Sequence, residues 1–105
     1  MLEIDFDDGC SFALSAELLR VESPSAEVQG HTLDEKKIIG GCRHVGITAI
    51  QPIGNYAIAI MFDDLHDTGI YSWDYLYELG HDQERIWQCY RENLTRLGLS
   101  RDPQP

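Results

Sequence analysis

The sequence predicts an α+β fold: an antiparallel sheet of about five short strands built from hairpins, a short helix after the first hairpin, and two C-terminal helices on one face of the sheet. Three observations predict it. Apolar residues alternate with polar or small ones through Leu2, Ile4 and Phe6, through Cys10, Phe12 and Leu14, and through Tyr56, Ile58, Ile60 and Phe62. Near the C-terminus the spacing changes to a helical one, with Ile86, Tyr90, Leu94 and Leu97 on one stripe. Strands come first and helices last, which separates the two kinds of element instead of alternating them. A chain of 105 residues is enough for one such domain, expected over 2–98 with a frayed tail at 99–105.

The first hairpin has a register that can be argued. A two-residue loop at Asp8-Gly9 would throw Phe12 to the face opposite Ile4. A three-residue loop, Asp7-Asp8-Gly9, pairs Phe6 with Cys10, Ile4 with Phe12 and Leu2 with Leu14, and gives a single apolar face. Ser15 is an N-cap for a short helix through Leu19, with Glu17 in the first turn where the helix dipole favours an acid. Pro24 stops that helix. From Pro24 to Arg43 periodicity weakens. Val28 is assigned to a short strand, and 29–41 reads as a long mobile loop with Gly30, Gly40 and Gly41.

Val45, Ile47 and Ala49 mark one face of a strand ending at Gln51, and Pro52-Ile53-Gly54-Asn55 reads as a turn. Tyr56 to Phe62 alternates large apolar residues with alanines, so this strand belongs inside the sheet. A strand at Gly69-Ile70-Tyr71 follows the acidic turn Asp63-Asp64-Leu65-His66-Asp67. Ser72 caps a helix with Gly80 just past its end, and Asp82 caps the last helix, which Gly98 closes.

Composition bounds the function. With 43% hydrophobic and 25% charged residues, the chain has the profile of a folded domain rather than a disordered one. Eighteen acidic against eight basic residues give a net charge of −10, which repels phosphate backbones and anionic lipid and argues against nucleic acid or a membrane as partner. The first eight residues lack the basic and apolar regions of a signal peptide. Cys10, Cys42 and Cys89 are an odd number and make no disulfide framework. The expectation is a cytoplasmic, acidic, single-domain protein.

Two clusters offer chemistry. His66 among Asp63, Asp64 and Asp67 has ligand types that suit zinc or iron, and equally describes a solvated turn between strands. Cys42 and His44 place two soft ligands at the mouth of a glycine-flanked loop, or mark a strand entry with a buried cysteine and an exposed histidine. Cys10 and Cys89 fall on apolar faces and read as core residues. Nucleophilic catalysis lacks a G-x-S-x-G elbow, and Gly40-Gly41 lacks the G-K-[ST] of a phosphate loop. The aromatic run Tyr71-Ser72-Trp73-Asp74-Tyr75 is either a strand-to-helix junction packed inward or a surface anchor, with Tyr75 the residue expected to be exposed.

One ordered string carries a family resemblance. Asp8-Gly9, Leu19-Arg20, Ser23-Pro24-Ser25-Ala26-Glu27-Val28 and Gly30-His31 make its first half. Gly54-Asn55-Tyr56-Ala57 and the block from Phe62 to Leu76 make its second. Together they resemble the N-terminal domain of gamma-butyrobetaine and trimethyllysine hydroxylases, and more closely the stand-alone bacterial members classed as a domain of unknown function. In the hydroxylases this domain holds zinc through a Cys-x-Cys-x-x-Cys run and a later histidine. The resemblance puts Ser23, Ser25 and Val28 at the cysteine positions and His66 at the histidine, so it implies that this zinc is lost and no cofactor is bound. The hydroxylases' iron is held by a separate domain, and none of His31, His44, His66 and His81 begins an H-x-[DE] pair. Oxygenase chemistry is therefore excluded from this chain, which is expected not to be an enzyme. Relatives fused to iron–sulfur ATPases imply an accessory place in iron–sulfur or metal metabolism.

The resulting expectation is a non-catalytic module that docks a protein partner with a basic surface. Its contact residues would be Asp63, Asp64, His66, Asp67, Tyr71, Trp73 and Tyr75. The alternative is a metal-binding protein using His66 with Asp63 and Asp67, or Cys42 and His44. The oligomeric state is left open.

Overall fold

The structure is a computed structural model that describes residues 1–29 and 36–103. It is α+β, with five strands in two antiparallel sheets rather than one. The first hairpin, β1 (Leu2–Asp5) and β2 (Ser11–Leu14), is a sheet by itself, and β3 (Ile47–Ile53), β4 (Ala57–Phe62) and β5 (Gly69–Ser72) form the second in the order β3-β4-β5. Helices α1 (Ala16–Val21) and α2 (Ala26–Gln29) follow the hairpin, and α3 (Trp73–His81) and α4 (Gln83–Leu97) follow the strands.

The hairpin has the register that one apolar face requires: Leu2 opposite Leu14 and Ile4 opposite Phe12. Phe6 N–H donates to Cys10 O at 2.8 Å, and Gly9 takes φ +88°, which the three-residue loop demands. The apolar side of this hairpin packs Phe6 and Phe12 edge-on against Tyr77 of α3. Gly80, expected just beyond α3, lies inside it. A Cβ there would meet the Phe12 ring at 2.3 Å, so the glycine serves close packing and not helix termination.

In the second sheet β4 is central and buried almost throughout, while β3 is an edge. Two expectations for β3 are corrected. Thr48 is an extra residue between the pairs Ile47–Phe62 and Ala49–Met61, so this bulge turns Ala49 away from the face that Ile47 shares with Phe62. Pro52 belongs to the strand, opposite Ile58, because an edge position does not need its missing N–H. The turn then begins at Gly54, at φ +53°.

The main core joins Leu14, Leu18 and Leu19 to Ile58, Ile60, Phe62, Tyr71, Leu76 and Leu79. A second cluster gathers Val21, Cys42, Tyr90 and Leu94. Ser15 caps α1 by accepting from Leu18 N–H at 3.0 Å. At the other end of α1 two phenols supply donors: Tyr71 Oη–H to Leu19 O, and Tyr75 Oη–H to Glu22 O at 2.5 Å. Carbonyls at a helix C-terminus lack intrahelical partners, and here β5 and α3 provide them.

Other expectations change on packing grounds. Val28 is in α2, whose turn is closed by Val28 N–H to Ser25 O at 3.0 Å, not in a strand. Cys89 is exposed on α4, because Ile86 and Tyr90 take the inward side. Cys10 is half-buried beside Tyr77 Oη. In the loop read as mobile, residues 30–35 lie outside the described residues, but Lys37 N–H donates to Val28 O at 2.7 Å and Tyr90 Oη–H to Ile39 O at 2.6 Å. The tail expected to fray is bonded over 100–101. Gly41 N–H donates to Ser100 O and Arg43 N–H to Arg101 O, while Arg101 makes a two-pronged ion pair with buried Glu17 and stacks over Trp87. Among the described residues no helix is long and apolar enough to cross a membrane.

Candidate functional site

The acidic turn between β4 and β5 is tied down from within. Leu65 N–H donates to Phe62 O at 3.2 Å, Phe62 N–H to His66 O at 3.0 Å, and His66 N–H to Asp64 Oδ1 at 3.1 Å. This winding leaves Leu65 at φ +71°, the one non-glycine residue with positive φ among the described residues. Asp63, Asp64, Leu65 and Asp67 face solvent, Leu65 with 89% exposure. Arg20 Nε donates to Asp64 Oδ2 at 2.7 Å and anchors the turn to α1.

His66 points the opposite way. It is 5% exposed, and its Nε2 lies 2.9 Å from Ser23 Oγ in the loop after α1. Two residues further along each segment, Ser25 Oγ lies 2.7 Å from Thr68 Oγ1. Ser23, Ser25 and Val28 are all buried. Three positions that the resemblance aligned with metal ligands, Ser23, Ser25 and His66, are thus gathered against the same short turn. Their chemistry does not suit zinc: two hydroxyls and the isopropyl group of Val28 stand in place of the three thiolates, and one imidazole alone is not a structural zinc site. Cys42 and His44 do not converge either. Cys42 is buried with Sγ directed at Gly40 O, burial pushes its thiol up, and His44 is exposed. Among the described residues no three His, Cys, Asp or Glu side chains come together as a metal-holding group.

The aromatic junction divides. Tyr71 is fully buried, and burial raises its phenol above the ordinary range, as it does for Tyr75. Tyr75 is not the exposed anchor expected of it, because its hydroxyl is committed to Glu22 O. Trp73 is the exposed ring, with Nε1–H donating to Asn55 O at 3.0 Å beside exposed Tyr56. Trp73 and the acidic turn sit at opposite ends of β5, separated by four residues and about 10 Å or more of strand. The residues expected to make one surface therefore fall into an acidic knob around Leu65, the buried His66 beneath it, a pair of capping tyrosines (Tyr71 buried, Tyr75 half-buried), and an aromatic corner at Tyr56 and Trp73. Leu65 is the surface residue that residue chemistry alone passed over. Its signal was present, an unpaired large apolar residue inside an otherwise polar turn.

Comparison with known proteins adds the family. The family described as Gamma-butyrobetaine hydroxylase-like, N-terminal, matches residues 1–77. No curated protein matches the chain. Two proteins with NMR solution structures are similar along almost all of it. One is 43% identical with a TM-score of 0.83, covering 98% of this chain and 81% of the other. The second is 48% identical with a TM-score of 0.81, covering 98% and 76%. A crystallised protein of unknown function from Acidithiobacillus ferrooxidans ATCC 23270, described as belonging to the DUF971 family, is 38% identical with a TM-score of 0.62, covering 74% and 76%. The match over residues 1–77, which takes in the hairpin, the Ser23–Val28 loop and the acidic turn, makes this chain a member of the gamma-butyrobetaine hydroxylase-like N-terminal family.

Proposed function

We propose that the chain is a non-catalytic docking module, and that the turn 63–68 presents Leu65 inside a carboxylate rim to a protein partner with a basic surface. The supporting observation is Leu65 itself. Left-handed backbone costs a residue with a side chain about 1–2 kcal/mol, and a leucine exposed to 89% recovers none of that by burial in the fold. An apolar knob with Asp63 and Asp67 beside it has the composition of a small interaction centre with a polar rim. The iron–sulfur association rests on the resemblance alone and adds no residue to this surface.

The test places a photo-crosslinking residue at position 65 and, as control, at Leu97, which is exposed on α4. Capture is then compared in the native lysate. The expected result is a specific basic partner caught at 65 and not at 97, and lost in Asp63→Asn/Asp67→Asn and at high salt. Equal capture at both positions, or capture undiminished by the double substitution, would place the surface elsewhere.

A further inference from the structure

Ser23 and His66 are 43 residues apart in sequence and in direct contact, as are Ser25 and Thr68. Around them Ser25 N–H donates to Ser23 Oγ at 3.3 Å, and Gln29 Nε2–H donates to Ser23 O at 2.9 Å. Gly69 leaves no slack on the β5 side, where a Cβ would meet Ser23 Oγ at 2.8 Å and the Tyr71 ring at 2.9 Å. Zinc held by a sulfur at about 2.3 Å and a nitrogen at about 2.0 Å keeps those two ligand atoms roughly 3.5 Å apart. The observed 2.9 Å between Ser23 Oγ and His66 Nε2 is hydrogen-bond contact, with no room for an ion between them.

We infer that this is a metal pocket closed without its metal: paired hydroxyl–imidazole and hydroxyl–hydroxyl bonds cross-link the loop after α1 to the turn 63–68, in the place a zinc ion would occupy. Both devices solve one problem. The loop 22–25 carries a proline and leaves its helix without regular backbone pairing, so it needs a fixed point on the sheet. A zinc ion gives one strong cross-link that depends on metal supply. Two hydrogen bonds, one buried and one partly buried, give a weaker one that does not, and burial strengthens the Ser23–His66 contact.

Three measurements test this. The purified protein, exposed to zinc and desalted, is expected to keep well under one zinc per chain and to melt at the same temperature with and without a chelator. One tightly held zinc per chain would overturn the proposal. Ser23→Ala removes the hydroxyl that contacts His66 and also accepts from Ser25 N–H, and is expected to lower Tm by about 4–8 °C. An unchanged Tm would overturn the proposal. The triple variant Ser23→Cys/Ser25→Cys/Val28→Cys is expected to take up one zinc per chain, and its cobalt form to show thiolate charge-transfer absorption. His66→Ala in that background should weaken zinc binding at least 10-fold. A triple variant that folds but binds no metal, or that folds neither with zinc nor without it, would show that these positions do not form one cage.

Discussion

Tyr71→Phe isolates one atom of the fold. The Tyr71 ring is fully buried in the main core and its hydroxyl donates to Leu19 O at the end of α1. Phenylalanine keeps the ring and opens no side-chain cavity, so the transfer and cavity terms of a larger truncation are absent. What remains is a helix-terminal carbonyl orphaned in the interior, a cost of about 1–3 kcal/mol. In a domain near this size that lowers Tm by about 5–15 °C. Tyr90→Phe is the internal comparison. Its hydroxyl serves Ile39 O in a loop only half-buried, where water can substitute, so its effect should be smaller. The pH dependence follows from the same geometry. Burial raises the phenols of Tyr71, Tyr75 and Tyr90, so each is raised in the folded state relative to about 10 in the unfolded chain. A raised folded value means that the contribution is complete below about pH 10 and is lost as pH rises through the folded value. Melting followed by circular dichroism should therefore show a plateau through pH 7–9 and a decline above 10, shallower in Tyr71→Phe. A Tyr71→Phe protein within 2 °C of the parent and with the same alkaline decline would refute the capping role.

Gly80→Ala adds a methyl group where the Phe12 ring stands 2.3 Å from the new Cβ. The helical gain of about 1 kcal/mol is outweighed by overpacking of about 1–3 kcal/mol, and urea unfolding should show net destabilisation. Arg101→Ala leaves buried Glu17 without its two-pronged partner. Since Arg101 is partly in water, the loss should be about 1–3 kcal/mol. Hydrogen exchange should also quicken at the amides of Gly41 and Arg43, which lean on Ser100 and Arg101.

Local patterns were legible where neighbouring residues decide the outcome. The Asp7-Asp8-Gly9 loop, the Ser15 and Ser72 caps, the left-handed Gly98 and the buried alternation of β4 are each set within a few residues, and the sequence announces all of them. The misses share a different cause. Gly80 looks like a helix terminator until Phe12, nearly 70 positions earlier, is seen against it. Tyr75 looks like a surface ring until Glu22 O claims its hydroxyl. Arg101 looks like part of a loose tail until Glu17 appears beneath it. The bulge at Thr48 and the split into two sheets also depend on pairing that no local period encodes. For the candidate site, the acidic turn was visible as composition, while the opposite orientations of Leu65 and His66 required the winding of that turn.

The outer edge of β3 presents the molecule with a hazard that its local geometry defuses. Ile47–Ile53 is largely apolar, carries no charged residue, and is exposed over its middle five positions, the profile of a strand that recruits another chain's backbone. A growing fibril or an edge-to-edge dimer needs a continuous, flat row of donors and acceptors. Thr48 twists that row near one end and Pro52 deletes a donor near the other, leaving only Ala49, Ile50 and Gln51 as an uninterrupted template. Three residues are too short a landing strip for stable strand addition. The edge is thus shortened as a template without the lysines that many sheets place there, and the two irregularities that obscured β3 in the sequence are what interrupt it.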